Sequence, residues 1–372
     1  MGHGDARPPD LDVSPRTQAP RRRPAPDTQP GLPMAIPASG MPERVLAEAS
    51  TSCSAAFDAD DWLFSVDWEG SRCLLIAGGD GSIRLQGETS TLDDRFPEIV
   101  EAAASAGLPS AILDGVVCIL DEEGRPDLEA LARRSRSGRD TPTAVYLATD
   151  LVHLGGESLT ARPLLARLGA LAPLIPRDSR IQLPDHVTGH GRALAAAAAE
   201  RGLAGMLARR QDASYLSGMA SPDRLRIPLS QRRDAVVVGW RESAPGLLAV
   251  LADWTLGRLG LVGVTLVEHQ VAAPWMTASA DPLAIDAVLN PGTAGPGVAW
   301  SRPRLVATVE PAPRGHRGGL LPEWRLVALR DDVDPMWCVR RPPVDPPRAS
   351  SRRPMRPFSP TVLSALPFDR VA

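Results

Sequence analysis

Short apolar runs alternate with turn-forming residues over most of the chain, which predicts a sheet-rich fold with a few helices. The apolar runs at residues 62–66 and 72–77 predict two strands. Three glycines within residues 78–81 supply positive-φ positions for a hairpin turn, and residues 82–85 predict the returning strand. Neither a helix start nor a Gly-Lys-Ser/Thr sequence follows these glycines, so a hairpin turn is favoured over a phosphate-binding loop.

Helical patterns interrupt the strands of the first half. Residues 96–106 and the alanine-rich residues 192–201 each predict a helix, and a glycine follows each segment and ends it. Between these helices, residues 110–120 predict a pair of short strands around Asp114 and Gly115. The first half is therefore expected to mix strands and helices.

The second half of the chain predicts a small β-barrel. Its apolar segments are short and are separated by Gly- and Pro-rich turns, as in small barrels. The predicted strands are residues 235–240, 247–251, 259–267 and 304–309, with a helix at residues 282–289. We place the boundary between the two domains near Arg241.

Both ends of the chain differ in composition from the middle. Residues 1–42 are rich in Pro and Arg and contain too little apolar surface to offset chain entropy, so we predict a disordered tail. Residues 339–372 predict a second disordered tail, which is Pro/Arg-rich and basic. The two domains between the tails are predicted at residues 43–240 and 241–338.

Charge and cysteine content narrow the class of protein. The formal net charge is -3, so binding to nucleic acid or to an anionic membrane would need a local basic patch. Cys53, Cys73, Cys118 and Cys338 lie far apart and form no CxxC pair, so neither a zinc site nor a disulfide framework is indicated. Neither a signal peptide nor a run long enough to span a membrane is visible. We expect a cytoplasmic protein with no membrane partner.

The basic residues are all of one type. The chain has 41 Lys+Arg residues, and every one of them is arginine. The abundant Gly, Pro and Ala fit G+C-rich coding, which by itself reduces the use of lysine. An enzyme whose chemistry needs a lysine would nevertheless be expected to keep one.

An ordered series of motifs resembles the ATP-dependent DNA ligase family. Residues 62–72, Trp-Leu-Phe-Ser-Val-Asp-Trp-Glu-Gly-Ser-Arg, resemble a strand followed by the family's Lys-x-Asp-Gly-x-Arg motif. Residues 112–117 resemble its Leu-Asp-Gly-Glu strand, and residues 145–159 its Phe-Asp-containing strand. Residues 202–226 resemble the Glu-Gly-x-x-x-Lys motif and the start of Lys-x-Lys, and residues 329–334 the closing motif of the barrel. The spacing is similar to that of the minimal bacterial ligases involved in end joining.

The resemblance implies an α+β fold with two domains. The first is a nucleotidyltransferase domain of ATP-grasp-like antiparallel sheets with helices, and the second is an OB-fold β-barrel. In the family, a lysine amine attacks the α-phosphate of ATP in the presence of Mg²⁺. The AMP then passes to the 5′-phosphate of a nick, and the 3′-hydroxyl seals the strand. The cofactors that the resemblance implies are therefore ATP and Mg²⁺.

Several positions depart from the family's pattern. Asp67 stands where the catalytic lysine is expected, and a carboxylate there repels a triphosphate. Val116 and Ala204 stand where the family has metal-binding acids, and Thr149 stands where it has the aromatic that stacks on adenine. Pro228 and Val333 each stand where the family has a lysine. Because two hard oxygen donors are lost, we predict no metal site. We expect no bound cofactor, since the sites for ATP and Mg²⁺ are predicted to be lost.

Other positions match the family. Gly70, Asp114, Gly115, Gly205 and Tyr215 match, and glycines at turns or an aspartate at a strand end often serve the fold. The candidates for nucleotide contacts are Arg72, Asp150, Arg209, Arg226 and Arg330, with Asp67 marking the inactive catalytic position.

Three functions follow from the pattern. The leading hypothesis is a family member that has lost adenylation and serves in DNA repair or recombination by binding duplex or nicked DNA, or a repair protein through its C-terminal tail. The candidate DNA contacts are arginine-rich patches at residues 133–139, 232–233 and 302–304 and in the C-terminal tail. The alternatives are a DNA ligase that seals nicks, for instance from DNA adenylated elsewhere, and an interaction module that binds no DNA.

Overall fold

A computed structural model of the chain describes residues 45–137, 142–176, 179–278, 282–283, 285–312, 320–340 and 342–347. All of them lie in the compact unit formed by residues 35–372. The predicted tail at residues 1–42 and the part of the C-terminal tail beyond residue 347 lie outside the described residues. Within the described part of the chain, no helix combines the length and apolar character that a membrane span needs.

Two sheets form the first part of the chain. Their strands are, in chain order, β1 (Ala49–Ser52), β2 (Ala59–Val66), β3 (Ser71–Ala77), β4 (Ile83–Gly87), β5 (Ala111–Ile119), β6 (Ala144–Leu154), β7 (Glu157–Ser158), β8 (Ile181–Gln182), β9 (Val187–Gly189), β10 (Gly205–Arg210) and β11 (Ala220–Pro228). The first sheet has the strand order β1-β11-β10-β2-β9, and the second has β4-β3-β5-β6-β7 with β8 beside β6. Most neighbours run antiparallel, whereas β1 runs parallel to β11 and β8 parallel to β6.

Four helices pack against these sheets. They are α1 (Pro97–Ser105), α2 (Leu128–Ser137), α3 (Leu164–Leu171) and α4 (Gly191–Glu200). Proline in the first turn suits α1, since its missing N–H has no partner there. Gly107 and Gly202, with φ of 62° and 71°, follow α1 and α4 and allow the left-handed turn that ends each helix. The largest apolar core lies between the second sheet and α1, α2 and α3.

The second part of the chain forms a closed barrel. Its strands are β12 (Arg233–Ser243), β13 (Gly246–Thr255), β14 (Arg258–Val267), β15 (Val288–Leu289), β16 (Ala299–Pro311) and β17 (Glu323–Arg330), with α5 (His269–Ala278) after β14. The order is β13-β12-β16-β17-β14-β15, and β13 also pairs with β14, so five strands close into a ring. The predicted α+β class, with a sheet domain followed by an OB-type barrel, is confirmed.

The structure differs from the sequence prediction at three elements. Where a pair of strands was predicted within residues 110–120, the single strand β5 (Ala111–Ile119) runs through Gly115 without a turn. Gly115 serves close packing instead, since a Cβ there would lie 2.5 Å from the Tyr146 ring. The helix predicted at residues 282–289 is wrong, since Ile285–Ala287 is one 3₁₀ turn and Val288–Leu289 pairs with β14. The helix α5, with Pro274 inside it, was not predicted.

The boundaries of the predicted domains also differ from the observed sheets. The whole of β12 pairs within the barrel, so the predicted boundary near Arg241 falls inside a strand and the change of sheet comes at residues 229–232. Residues 339–340 and 342–347, assigned to a disordered tail, make strand-like contacts: Val339 bridges Trp254, and Val344 bridges Cys53. Prolines hold this segment extended, which suits such pairing.

Candidate functional site

A cavity of about 1030 Å³ lies between the first domain and the barrel. Its wall on the first domain comes from β1, from the turn after β2 and from β11, with Arg72, Val116 and Thr149 added by the second sheet. The opposite wall comes from β12, β13 and the residues after β17. This volume is at the upper end of small-molecule sites. Four of the predicted site residues line it: Asp67, Arg72, Arg226 and Arg330.

Asp67 lies on the first wall, directly after β2. Its carboxylate Oδ2 accepts a hydrogen bond of 2.5 Å from Nε of Arg226 on β11. The two side chains are 18% and 37% exposed, so water reaches both. The negative charge of Asp67 is the main cause that raises the pKa of Arg226. Gly205 leaves room for the pair, since a Cβ there would lie 3.1 Å from Oδ2 of Asp67.

A buried hydrogen-bonded cluster lies behind this wall, around Asp114 of β5. Arg72 of β3 donates to both carboxylate oxygens of Asp114, at 3.3 and 2.6 Å, and the Tyr215 hydroxyl donates at 2.9 Å. Burial raises the pKa of Asp114, but Arg72, Arg224 and the hydrogen bonds lower it more, so the net pKa lies below its ordinary value. The cluster joins β3, β5 and the segment before β11.

Asp150 of β6 holds a second buried cluster. Arg167 of α3 binds it in bidentate fashion, with Nε and Nη2 at 2.8 and 2.9 Å from the two carboxylate oxygens. Arg209 of β10 lies 3.7 Å from the same carboxylate and donates to the backbone carbonyl of Thr149 at 2.7 Å. Burial lowers the pKa of Arg209 to about 10. Asp150 and Arg209 are buried, and neither lines the cavity.

Arg330, at the end of β17, joins the barrel to the first domain. It binds Asp332 through two hydrogen bonds of 2.8 and 2.5 Å and donates to the carbonyl of Gly70 at 2.7 Å. The Ser71 hydroxyl donates to Asp332 at 2.7 Å, and Arg95 binds Asp331 beside it. Arg330 is 5% exposed, so its guanidinium is engaged in holding the two parts together.

The chain is similar to known sequences. The family profile described as "ATP dependent DNA ligase domain" matches residues 44–227. The "Multifunctional non-homologous end joining protein LigD" of Mycobacterium bovis is 28% identical over 302 residues, which cover 77% of this chain and 38% of that protein. This chain belongs to the ATP-dependent DNA ligase family.

Other relatives share the family and the fold. LigD of Pseudomonas aeruginosa is 28% identical over 366 residues, 91% of this chain and 42% of that protein. A solved structure described as "mycobacterial DNA ligase D complexed with ATP and MES" superposes with a TM-score of 0.55 and 24% identity, covering 80% of this chain and 98% of that one. The chain spans about two fifths of the length of these two LigD relatives.

The residues that depart from the ligase pattern lie on the cavity wall or beside it. Val116 and Val333 line the cavity with apolar side chains, from the first domain and from the barrel respectively. Thr149 also lines it, and its hydroxyl donates to the carbonyl of Asp114 at 3.1 Å. Ala204 is buried next to the Asp67 turn, and Pro228 is exposed at the end of β11.

These side chains do not fit the family's nucleotide and metal. The position of the nucleophile carries a carboxylate that is already paired with Arg226. A Mg²⁺ ion needs oxygen donors, and the methyl groups of Val116 and Ala204 offer none. Among the described residues, no group of three or more His, Cys, Asp or Glu side chains is placed to hold a metal.

Many arginines predicted as DNA contacts are engaged within the chain. Arg134 is buried, pairs with Glu98 and lies over the Phe96 ring. Arg232 binds Glu69 at 2.6 Å and Glu310 at 3.4 Å. Arg133 pairs with Glu129, and Arg233 pairs with Asp253. Arg302, Arg304 and Arg340 have exposed side chains, and Arg139 lies outside the described residues.

Sequence reasoning missed several residues that shape the site. The buried Arg167 binds Asp150, the buried Asp332 binds Arg330, and the buried Arg224 donates to Ser50. Glu69 pairs with Arg232, and both line the cavity. The spacing of Arg330 and Asp332 was a signal, because residues i and i+2 at a strand end can pair. Arg167 gave no such signal, since its partner lies 17 residues away on another element.

Proposed function

We propose that this chain is a DNA ligase family protein that no longer forms a lysyl-adenylate and acts as a DNA-binding or partner-binding protein in DNA repair. The observation that carries the proposal is the Asp67–Arg226 pair. At the position of the family's nucleophile, a carboxylate is held 2.5 Å from a guanidinium. No lysine stands elsewhere in the chain to take over the reaction.

The combination of replacements supports the loss of chemistry as a whole. A change from lysine to arginine is what G+C-rich coding would favour, and Arg209 and Arg226 fit that explanation. Asp67, Val116 and Ala204 do not, because each replaces the required chemical group with a different one. Adenylation would need a new nucleophile and new metal ligands at the same time.

DNA repair as the setting is proposed from the relatives. Those from Mycobacterium tuberculosis are named as multifunctional non-homologous end joining DNA repair proteins. The exposed Arg302, Arg304 and Arg340 supply cations of the kind that contact phosphates. A repair protein bound through the C-terminal tail stays part of the proposal.

The family match equally fits an enzyme that seals DNA adenylated elsewhere. That step needs no lysyl-adenylate, but it needs a metal and an aligned 3′-hydroxyl. Supplying pre-adenylated nicked DNA with Mg²⁺ or Mn²⁺ separates the two functions. Our proposal predicts no sealed product, and sealing at a rate that rises with enzyme concentration would replace it with the ligase function.

Two measurements test the proposal itself. Incubation with labelled ATP and a divalent metal, followed by a denaturing gel, is expected to give no covalent AMP. A gel shift on nicked duplex at several salt concentrations is expected to give binding that weakens steeply as salt rises, because phosphate contacts release counterions. Absence of a shift even at low salt would leave partner binding without DNA as the function.

A further inference from the structure

The segment that follows the last barrel strand first pairs with the barrel strand β13. The backbone N–H of Trp254 donates to the carbonyl of Cys338 at 2.8 Å, and the N–H of Arg340 donates to the carbonyl of Trp254 at 3.0 Å. The Trp254 indole N–H donates to the carbonyl of Pro335 at 3.0 Å. Cys338 is buried in the barrel core. This end of the segment is therefore fixed on β13.

A few residues later, the same segment lies on the first domain. The N–H of Val344 donates to the carbonyl of Ser52 at 2.8 Å, and the N–H of Ser54 donates to the carbonyl of Val344 at 2.9 Å. Val344 and Cys53 are thus partners in a parallel bridge. Since β1 is the edge strand of the first sheet, the segment covers part of an edge that would otherwise present unpaired backbone groups.

The sequence of the segment suits this position. Residues 342–347 read Pro-Pro-Val-Asp-Pro-Pro, so four of the six have a fixed φ and no N–H. Residues before proline are also restricted to extended conformations, which makes the segment stiff before it binds. Val344 carries one of the two N–H groups, and that group is the one donated to β1. Little chain entropy is lost when a pre-extended segment pairs.

The segment also forms part of the cavity wall. The cavity is lined by Cys338, Val339, Arg340, Pro342 and Val344, together with Asp67 and Arg226. We propose that residues 338–340 and 342–347 form a strap, docked in cis on the edge of β1, that holds the barrel on the first domain and closes the cleft to DNA. With the strap in place, the cleft is a chamber of small-molecule size; a duplex reaches the Asp67 wall only after the strap leaves β1. The DNA part of this proposal rests on the proposed function.

Disulfide trapping in the full chain tests whether the strap docks on β1. Bridge partners in a parallel pairing lie about 4.8 Å apart and point to the same face of the sheet, which suits a disulfide. The substitution Val344→Cys places a thiol opposite the native Cys53, and mild oxidation is expected to link them. Asp345→Cys is the matched control, because adjacent side chains point to opposite faces. Peptide mapping identifies the linkage, and equal trapping in the two variants would overturn the docking.

A second pair of variants tests the hydrogen bonds. Arg340→Pro with Val344→Pro removes the two N–H groups that the strap donates to Trp254 and Ser52, whereas Arg340→Ala with Val344→Ala keeps them and loses the same side chains. Loss of two hydrogen bonds is expected to speed amide exchange at Ser54 and Trp254 by about tenfold or more relative to the alanine variant. Equal exchange in the two variants, with unchanged circular dichroism, would overturn the strap.

Binding to nicked duplex tests the closure. The proline variant is expected to bind about tenfold more tightly than the alanine variant, since release of the strap no longer opposes binding. Oxidised Val344→Cys is expected to bind weakly, with binding recovered on reduction. Equal and tight binding by all of these variants would overturn the closure. If none of the variants binds DNA, DNA binding in the proposed function is contradicted, and the closure with it. In that case the expected disulfide trapping and amide exchange would still support the strap as a tether between the barrel and the first domain.

Discussion

The ion pairs of the first domain differ in burial between an inner layer and an outer layer on the cavity wall. In the inner layer, Asp150 and Arg167 are 1% and 2% exposed and form a bidentate pair, and Asp114 binds Arg72 and Tyr215. In the outer layer, on the cavity wall, Asp67 and Arg226 form a single close contact that water reaches. The inner pairs cannot be broken without leaving a buried charge, whereas the outer pair can exchange its partner for water.

This difference explains which family residues the chain has kept. Asp114, Asp150 and Tyr215 match the ligase pattern and make contacts that join strands and helices. Of the positions that differ, Asp67, Val116 and Val333 line the cavity. Under the proposed function, such a distribution is expected, because contacts that hold the fold are still needed when catalytic groups are not.

The largest effect is expected from the inner layer. Replacing Asp150 with Ala leaves Arg167 and Arg209 without their shared carboxylate in a buried site. We expect the free energy of unfolding to fall by about 3–5 kcal/mol, as for one partner removed from a buried ion pair. Urea denaturation measures it, with Asp67→Ala as the matched control on the wall. Similar losses in both variants would contradict the distinction between the layers.

A smaller loss is expected where the barrel meets the first domain. Asp332→Asn keeps the shape of the side chain but removes the charge that binds Arg330 and accepts from Ser71. Charge-assisted hydrogen bonds of this kind contribute about 1.5–3 kcal/mol each. Denaturant unfolding of the variant should show that loss, and a value within error of wild type would mean that Arg330 holds the barrel without Asp332.

The pKa of Asp332 predicts how the stability of the fold depends on pH. Burial raises the pKa of Asp332, but Arg330 and the hydrogen bonds from Arg330 and Ser71 lower it more, so the net pKa lies below its ordinary value. As pH falls, the Asp332 carboxylate is therefore protonated in the unfolded chain, near pH 4, before it is protonated in the folded chain. The stabilisation is fully present above that pH and is lost as pH falls through the folded pKa. The stability difference between wild type and Asp332→Asn should shrink on acidification, and a constant difference would contradict this linkage.

The smallest effect is expected from the cavity wall. Arg226→Ala removes the partner of Asp67, and both side chains are partly hydrated. Partly exposed ion pairs contribute about 0–1 kcal/mol, so the melting temperature should change little. Thermal unfolding in low and high salt measures it. A loss comparable with that of Asp150→Ala would place the pair among the structural contacts.

The sequence predicts the strands and the barrel because apolar periodicity and turn glycines are local signals. Residues 62–66, 72–77 and 259–267 all became strands. The sequence does not predict α5, because its internal Pro274 argues against a helix. It does not predict the strap either, because the pairing of the strap depends on distant strands. In the candidate site, the resemblance implies that Asp67 and Arg226 belong to one cleft, and both line the cavity, but their pairing was not predicted. The buried roles of Asp150 and Arg209 depend on Arg167, which no local pattern marks.

The most direct test of the lost adenylation is covalent transfer of AMP from labelled ATP. Wild type and Asp67→Lys are incubated with Mg²⁺ or Mn²⁺ beside an active ATP-dependent DNA ligase, and labelled protein is separated under denaturing conditions. We expect label only on the active ligase: wild type has no lysine, and the variant still has Val116 and Ala204 where metal ligands are required. Stoichiometric AMP on wild type, retained after denaturation and mapped to one residue, would contradict the account.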